Sequence, residues 1–533
     1  MPMRPILKKP GSYRGSLPAL AGAGVCLLSF ILYLLTLAPT VLYYDLPDLR
    51  DSTMLQTRVA VLGIPDYTGY PTYVMLGKLF TFLPIGDVAY RVNLFSAVHA
   101  ALAVLLIYLI GVKLTGRTVA AAGGALAFGV GRIFWSQATV AEVYPMNALF
   151  VALVIFVLLV WRERQQDRYL LLAAFLMGLS LTHHLTSGLL LPAGLVFVFL
   201  VDRRRLLDAG LLLKGAGLFL LGLLPYAYLP IRASMDYLPE GWVWGQPKVS
   251  KYPPDTLYGF YNLVSGGAWK GRMWAFGPGE LPGRLSMYLD YLYGSLGQFH
   301  VALVLVALLG AFYLLYKDPP AGVLLGLLYL GWLFHALEYN IEDIQYYFIP
   351  TYLILGVFMA VGFHALLGAV EGFTARLPAG ARTGVIAALS LVVVVSPLLG
   401  SGETLREVDR SEDYRGRVIM DSVAREAEPG ATVLHHRSPL DYMILVDGRR
   451  EDLTLINYLE QDAGPPLYKG IPEAKSALQE GPVYILFPGE TTTPYYMGVR
   501  DSEELYRREG LDLVPADKQT LLYEVVRRGT GDA

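Results

Sequence analysis

Long apolar runs recur through the first 400 residues of the chain, separated by short polar or aromatic stretches. A helix that crosses a bilayer needs about 20 mostly apolar residues, and most of these runs approach that length. The pattern therefore predicts a polytopic α-helical membrane domain over residues 1–400. Its eleven expected spans lie near residues 18–40, 92–113, 118–136, 143–161, 169–184, 186–201, 208–229, 296–316, 320–337, 346–368 and 383–400.

The pattern changes after residue 400, where short apolar stretches alternate with charged ones. The stretches GATVLHHRSPLDYMILVDG, EDLTLINYLEQ and GPVYILFPGE are typical of short strands. The stretches EAKSALQEG and SEELYRREG are typical of charged helices. We therefore expect residues 401–533 to form a small soluble α/β domain.

Basic residues are concentrated on one side of the predicted spans. Arg4, Lys8, Lys9 and Arg14 precede the first span, and short loops rich in Lys and Arg usually face the cytoplasm. Alternation of the spans then places further basic residues on the same side, namely Lys113, Arg117, Arg162, Arg164, Arg168, Arg203, Arg204, Arg205, Lys317, Arg376 and Arg382. We therefore expect a multi-pass plasma-membrane protein with a cytoplasmic N-terminus and an extracytoplasmic C-terminal domain.

The opposite side receives two long loops, residues 41–91 and 230–295, together with the unusual polar and aromatic stretches at span ends. These stretches include YYDLPDLRDST, WSQATVAEVYP, LTHHLTS and EYNIEDIQYYFIP. Because they all gather on one face, the sequence predicts a shared site that opens outward.

Composition supports a membrane protein and excludes some functions. Only 17% of the residues are charged and the mean hydropathy is +0.44, whereas about 25% are charged in soluble proteins. The net charge of −2 provides no basic excess for binding nucleic acid. The single cysteine, Cys26, permits no intrachain disulfide. The chain has no G-x-x-x-x-G-K-[ST] loop, so ATP-driven transport is unsupported.

Three aspartates, Asp45, Asp48 and Asp51, follow closely on the first span. Helix capping explains Asp45 and Asp48, because acids satisfy free N–H groups at a helix N-terminus. The apolar stripe at positions 55, 59 and 62 would suit a helix that lies along the membrane surface. Asp51 falls beyond the expected first turn, where capping does not explain it. For this residue we prefer a functional role over a solvated face.

Four basic or titratable residues at span ends are candidates for the site, and three of them have both a structural and a functional interpretation. His183 and His184 are typical of a polar turn, but they could hold a phosphate or carry a proton. Arg232 could extend to lipid headgroups or recognise a lipid-linked phosphate. Arg132 lies near the outer end of a span and has few charges around it in the sequence.

Acids and tryptophans at the membrane border form a further set of candidates. Glu142 and the pair Glu342–Asp343 are positioned where acidic residues are usually functional. Trp244 and Trp269 fit an interfacial aromatic belt, and stacking on a sugar is the alternative. No set of ligands at matched spacing indicates a metal site, so a divalent ion is possible but unsupported.

Motifs spread over residues 20–370 resemble those of the GT-C superfamily of membrane glycosyltransferases and, within it, the protein O-mannosyltransferase-like group. That group has D-x-G-E in its first outer loop and H-P-P-G-Y-P-L-Y shortly after. In this chain DSTM (51–54) and DYTGYPTY (66–73) occupy those places. The resemblance continues through LGKLFTFLPIGDVAYRVNLFSA, FWSQATVAEVYPMNALFVALV, GLSLTHHLT, LLPYAYLPIRA, WGQP and YNIEDIQYYFIP.

The resemblance implies a glycosyltransferase of polyprenyl-phosphate-linked sugars. It would move a sugar, with a mannose-like hexose favoured, from a carrier in the membrane lipid to an acceptor hydroxyl on a protein or glycan at the outer face. An acid of the first outer loop would act as general base, with inversion at the anomeric carbon. Asp51 matches that acid, His184 and Arg232 match phosphate contacts, and Asp343 and Tyr347 match residues that shape the pocket.

This sequence also departs from the motifs of the group. Met54 stands in place of the glutamate, and Asp66, Tyr67 and Thr68 stand in place of His-Pro-Pro. Asp66 could take over a lost role, so it is the second catalytic candidate. The expected substrate-binding residues are Asp48, Tyr70, Arg132, Glu142, Tyr144, His183, His184, Arg232, Trp244, Asp343 and Tyr347.

The alternative is a non-catalytic membrane protein of the same architecture. It would bind a lipid-linked glycan or display the outer domain to a partner protein. A transporter is disfavoured because the polar residues cluster at one face, whereas transporter sites are usually built near mid-membrane.

Overall fold

The computed structural model describes residues 16–43, 51–65, 67–235, 254–295, 297–436, 438–457, 470–490 and 498–529. The candidates Asp45, Asp48, Asp66 and Trp244 lie outside these ranges, as do the basic residues Arg4, Lys8, Lys9 and Arg14 that precede the first span. Up to residue 408 the described chain is built from helices, as expected of apolar runs that must satisfy their backbone groups internally in lipid.

The helices of this first part surround one large apolar core. They are α1 (Ser16–Leu35), α2 (Ser52–Val61), α3 (Pro71–Phe80), α4 (Val88–Thr115), α5 (Thr118–Gly129), α6 (Arg132–Ala138), α7 (Tyr144–Arg164), α8 (Asp167–Leu181), α9 (Leu190–Asp202), α10 (Ala209–Gly222), α11 (Tyr228–Ala233), α12 (Leu257–Val264), α13 (Leu281–Tyr293), α14 (Val301–Lys317), α15 (Pro319–Leu337), α16 (Ile344–Tyr347), α17 (Ile349–Phe373), α18 (Ala379–Val395) and α19 (Ser401–Val408).

Every predicted span coincides with helix, which confirms a polytopic helical membrane protein. Within the described residues, eight helical segments are long and apolar enough to cross a bilayer, and a bent pair would make a ninth. Of the two other predicted spans, α8 has 15 residues and α14 has 17. The exact number of spans therefore stays a prediction.

The span expected over residues 118–136 is broken, because α5 and α6 meet at an angle of 70°. Gln298 explains how the break is tolerated. Its side chain accepts a hydrogen bond from the Phe134 N–H at 3.1 Å and donates one to the Phe128 carbonyl at 3.1 Å. Backbone groups on both sides of the break are thus paired. Gly131 lies at the break, where a Cβ would stand 2.0 Å from the Gln298 side chain.

Helix α2 differs from the expected surface helix in two ways. It begins at Ser52, so Asp51 occupies its N-cap and does not lie beyond the first turn. The Asp51 side chain makes no capping hydrogen bond. The polar side chains of α2 are buried, and Gln56 donates to Asn93 of α4 at 2.7 Å. The helix is covered by protein, which the local pattern of residues could not show.

The C-terminal part forms the expected α/β domain around a five-stranded sheet with the order β2-β1-β3-β5-β4. Strand β1 is parallel to β2 and β3, whereas β5 is antiparallel to β3 and β4. The elements are α20 (Arg415–Glu426), β1 (Thr432–His435), α21 (Leu440–Leu445), β2 (Thr454–Asn457), α22 (Gly470–Ala477), β3 (Val483–Leu486), α23 (Val499–Arg508), β4 (Leu511–Asp517) and β5 (Leu522–Arg527).

Side chains alternate between the two faces of this sheet, and each face is covered by its own apolar cluster. Val433 packs in one cluster and its neighbour Leu434 in the other, as the period of two in a strand requires. One detail of the prediction is wrong, because LDYMIL is helix α21 and not a continuation of strand β1.

The C-terminal domain is fixed to the membrane domain by a charged junction around Arg417 of α20. This guanidinium donates to Asp87 Oδ2 at 2.6 Å and to Thr40 Oγ1 at 2.8 Å, and it also pairs with Asp447. Nearby, the Ala89 N–H donates to the Tyr442 hydroxyl at 3.0 Å. The domain therefore lies on the face of the membrane domain that carries the loop before α2. A boundary between the two domains near residue 400 stays a prediction.

Candidate active site

Three acids from separate parts of the chain come together at the N-terminal end of α2. Asp51 is its N-cap residue, Glu142 lies in the loop between α6 and α7, and Asp343 directly precedes α16. The Ser52 hydroxyl donates to Glu142 Oε1 at 3.4 Å. Burial raises the pKa of Glu142 well above its usual range, and the nearby carboxylates of Asp51 and Asp343 raise it further. This arrangement favours a protonated Glu142 that can donate a hydrogen bond.

The loop that carries Glu142 is held by Ser96 of α4. The Ser96 hydroxyl accepts from the Glu142 N–H at 3.0 Å and donates to the Glu142 carbonyl at 3.1 Å. His183 fixes the adjacent residue, because its Nε2 lies 2.9 Å from the Val143 carbonyl oxygen. Buried polar backbone groups are thereby satisfied. The position of the Glu142 carboxyl group is therefore set by contacts of its loop with α4 and with the turn after α8.

Tyr144, at the start of α7, connects the acids to a group of rings. Its hydroxyl donates to Asp343 Oδ2 at 3.2 Å. Its ring centroid lies 6.0 Å from that of His184 and 5.9 Å from that of Tyr347. Tyr70, the N-cap residue of α3, lies 6.4 Å from the His184 ring. Five of the predicted site residues thus form one continuous cluster.

A cavity of about 560 Å³ opens beside this cluster. Its walls come from the loop before α3, the turn after α8, the segment around Trp269, and the end of α15 with the turn that follows. The lining residues are Tyr67, Thr68, Tyr70, His184, Leu185, Thr186, Ser265, Gly266, Trp269, Lys270, Met273, His335, Tyr339 and Tyr347. Aromatic and hydrogen-bonding groups together suit a ligand that has both apolar and polar parts.

The two neighbouring histidines have different surroundings. His184 lines the cavity, and its Nδ1 is 2.7 Å from the Thr186 hydroxyl. His183 does not line the cavity; it is completely buried and stacks on Tyr73, with ring centroids 6.0 Å apart. Consecutive residues in a turn point in different directions, so only His184 is placed to contact a bound substrate.

Neither of the two arginines predicted to bind substrate lines the cavity. Arg232 is buried and donates to the carbonyls of Val61 and Leu62, where α2 ends. That end is roughly 15 Å from Asp51, given 1.5 Å of rise for each residue of the helix. Arg132 pairs with Glu407 of α19, with Nε 2.6 Å from the carboxylate. Both guanidinium groups have partners that are remote in sequence.

Lys270 is a cavity residue that the sequence analysis did not select. It belongs to a short 3₁₀ segment, Gly267–Arg272, and its Nζ lies 4.4 Å from the ring centroid of Tyr261. Among the described residues that line the cavity, it is the only Lys or Arg. A tryptophan followed by two basic residues in the sequence AWKGR is the signal that could have identified it. His335, Trp269 and Tyr339 complete this side of the cavity.

Metal binding finds no support in the described part of the chain, where no group of three His, Cys, Asp or Glu side chains is arranged to hold an ion.

Residues 51–207 match the family model described as the N-terminal domain of protein O-mannosyl-transferase TMEM260. The mouse protein O-mannosyl-transferase TMEM260 is 35% identical over 205 residues, which is 37% of this chain and 28% of the mouse protein. The tmem260 protein of Dictyostelium discoideum is 23% identical over 410 residues, or 68% of this chain and 48% of that protein. The chain thus spans less than half of the length of each relative.

Two solved structures have a fold similar to that of this chain. ArnT from Cupriavidus metallidurans, bound to undecaprenyl phosphate, superposes with a TM-score of 0.54 at 12% identity and covers 96% of this chain and 98% of its own. AglB from Archaeoglobus fulgidus, in complex with an inhibitory peptide and a dolichol-phosphate, superposes with a TM-score of 0.56 at 11% identity. The match covers 89% of this chain and 70% of AglB. The chain has the GT-C fold that these two structures share, and residues 51–207 are similar to the protein O-mannosyl-transferase TMEM260 family. Asp51, Glu142, Tyr144 and His184 lie inside the matched family domain, whereas Lys270 lies beyond it.

Proposed function

We propose that this GT-C protein is a glycosyltransferase that moves a sugar, with a mannose-like hexose favoured, from a polyprenyl-phosphate carrier to an acceptor hydroxyl on a protein or glycan. One observation carries the proposal. A carboxylate cluster, Asp51 with Glu142 and Asp343, is joined through Tyr144 to a cavity lined by hydrogen-bonding and aromatic side chains. This juxtaposition supplies a base and a binding place for the donor within one site.

The donor would bind in the cavity with its phosphate near Lys270, His184 and His335. A lysine ammonium attracts phosphate as a point charge, and histidine N–H groups can donate to its oxygens. Negative charge grows on the carrier phosphate as the bond to the sugar breaks, so these groups would stabilise the transition state. Trp269 and Tyr339 offer apolar faces for the sugar or the first prenyl unit.

Asp51 would act as the general base. The acceptor hydroxyl gives its proton to the Asp51 carboxylate while its oxygen forms a bond to the anomeric carbon. The bond from that carbon to the carrier phosphate breaks, and the phosphate leaves with the electron pair. Attack opposite to the leaving group inverts the anomeric carbon. A protonated Glu142 supports this role, because it adds no second negative charge beside the base.

The site would face the extracytoplasmic side of the plasma membrane, with the N-terminus in the cytoplasm. Two observations support this arrangement. The loops rich in Lys and Arg lie at the helix ends remote from the cavity. The C-terminal domain contacts the same face as the site, through Arg417 and Asp87. Asp48, Asp66 and Trp244 remain candidates for the acceptor and donor loops.

A non-catalytic binder of a lipid-linked glycan is the second candidate. It is favoured by one observation: Met54, at the position of the family glutamate, packs against the apolar core. A protein of this kind would bind the carrier in the same cavity and release it unchanged.

Transfer of radiolabelled mannose from a polyprenyl-phosphate donor to an acceptor peptide tests the proposal. We expect turnover by the native protein and a loss of about 10²- to 10⁴-fold in Asp51→Asn, as for removal of a general base. Asp255→Asn serves as the matched control, because Asp255 is exposed. Equal rates for native protein and Asp51→Asn would remove Asp51 from the mechanism. Donor binding without turnover by any variant would favour the binder.

A further inference from the structure

A large apolar groove lies between α7, α8, α9 and α10, apart from the candidate active site. Its empty volume is about 860 Å³. The walls are formed by aliphatic side chains that include Leu158, Ala174, Leu195 and Leu212, and Arg205 lies at one end. A groove with such walls suits a hydrocarbon chain, because it offers almost no hydrogen-bonding groups along its length.

Two glycines close the groove at the end remote from Arg205. A Cβ on Gly178 of α8 would lie 2.1 Å from the carbonyl oxygen of Phe219, and a Cβ on Gly222 of α10 would lie 2.4 Å from that of Phe175. Only glycine allows these two helices to approach so closely. The groove runs from this crossing along α9 and α10 to the segment that joins them.

The side of the groove is open. Leu191 and Leu195 of α9 are 43% and 46% exposed, and Leu212 of α10 is 45% exposed, although all three line the groove. Both helices belong to segments long and apolar enough to span a membrane, so these leucines would face lipid hydrocarbon. A lipid chain could therefore enter from the bilayer without passing through water.

Basic side chains surround the open end. Arg205 pairs with Asp167 at 2.8 Å and with Asp202 at 3.3 Å, whereas Arg203 and Arg204 next to it are exposed. Five basic residues in this region (Arg168, Arg203, Arg204, Arg205 and Lys214) outnumber three acids (Asp167, Asp202 and Asp208), which leaves an excess of two positive charges. The end of the groove thus attracts an anionic headgroup.

This end lies on the opposite side of the membrane domain from the candidate active site. The helical segment that follows His184 runs from Leu185 to Leu207 and spans about 35 Å at the usual rise per residue. A ligand whose phosphate lies beside Arg203 and Arg204 is therefore separate from a donor whose sugar must reach Asp51.

We propose that this groove binds an anionic glycerophospholipid, with an acyl chain along α9 and α10 and its phosphate beside Arg203 and Arg204. The apolar walls match the chain, and the excess of positive charge selects an anionic over a zwitterionic headgroup. The lipid would fill a gap between peripheral helices and so stabilise the packing of α9 and α10.

Native mass spectrometry tests the proposal on protein purified from nanodiscs that contain equal amounts of phosphatidylglycerol and phosphatidylcholine. We expect one phosphatidylglycerol to remain bound preferentially. The double variant Arg203→Gln/Arg204→Gln should bind it roughly thirty-fold more weakly. Arg376→Gln/Arg382→Gln removes two exposed charges elsewhere and serves as the control for net charge.

A second pair of variants tests the groove itself. Ala216→Phe adds bulk to an exposed lining residue, whereas Leu213→Phe adds similar bulk to an exposed residue of α10 that does not line the groove. Only the first should displace the lipid. Equal retention of both lipids by native protein, or unchanged retention in Arg203→Gln/Arg204→Gln or Ala216→Phe, would overturn the proposal.

Discussion

The hydroxyl of Tyr144 donates a hydrogen bond to the Asp343 carboxylate, and this 3.2 Å contact joins two parts of the chain that are 199 residues apart. It connects the start of α7 to the segment before α16, directly between the acids and the cavity. The contact holds Asp343 near Glu142 and keeps the Tyr144 ring beside His184. A single phenol therefore positions both halves of the proposed site.

Tyr144→Phe should lower kcat by about ten-fold while leaving donor affinity nearly unchanged, because the ring remains and only a hydrogen bond to a charged group is lost. Steady-state kinetics with varied donor concentration measures both values. Tyr316→Phe removes an exposed hydroxyl at the opposite end of the bundle and should change neither. A rise in KM with unchanged kcat would instead assign Tyr144 to binding.

Lys270→Gln should reduce kcat/KM for the polyprenyl-phosphate donor by about ten-fold or more, because the cavity loses its described cation while the side chain keeps a similar length. The defect should be smaller at high ionic strength, where the native ammonium is screened. Lys317→Gln, at the far end of α14, is the matched control. Identical kinetics for Lys270→Gln and native protein would mean that other groups hold the phosphate.

The raised pKa of Glu142 predicts how stability depends on pH. The folded state holds a proton on Glu142 above the usual glutamate pKa, where the unfolded state has released it. Stability from this group is therefore complete at low pH and is lost as the pH rises toward the raised pKa. Melting temperatures of the detergent-solubilised protein, measured from about pH 5 to about pH 9, should decline more steeply in native protein than in Glu142→Gln. Parallel curves would show that Glu142 ionises normally.

Arg417→Gln should loosen the attachment of the C-terminal domain. The substitution leaves Asp87 and Asp447 without their shared guanidinium, at a cost of about 2 kcal/mol for charged hydrogen bonds at a partly buried site. Limited proteolysis should then release the domain faster. Arg425→Gln, whose side chain is 63% exposed, should leave the cleavage rate unchanged. Equal cleavage of both variants would indicate that the apolar contacts alone hold the junction.

Several outcomes follow directly from short-range patterns in the sequence. The predicted apolar runs coincide with helices in the described residues, because a run of that length can satisfy its backbone in lipid only as a helix. Short apolar stretches located β1, β2 and β3, whereas β4 and β5 were not predicted. The helix LDYMIL was missed because a short, mostly apolar stretch next to a strand fits both elements equally well.

The candidate site was predicted in part, and the residues show why. Tyr70, Glu142, Tyr144, His184, Asp343 and Tyr347 were selected from motifs, and the structure brings them together with Asp51. Arg132 was selected for its charge near the end of a span, and Arg232 for its charge and its match to the family's arginine. Their partners, Glu407 and the end of α2, become neighbours only when remote segments pack. Lys270 likewise lines the cavity only because segments that are remote in sequence pack together.

The sequence by itself determined the helical membrane character, the α/β character of the C-terminal domain, and an order of motifs that resembles that of protein O-mannosyltransferases. These properties depend on hydrophobic length and local periodicity, which neighbouring residues carry. Only the tertiary structure decided the burial of α2, the 70° break before Arg132, and the choice of His184 over His183 for the cavity. Each of these depends on contacts between segments that are distant in sequence. The local pattern of apolar and polar residues does not specify which segments come into contact.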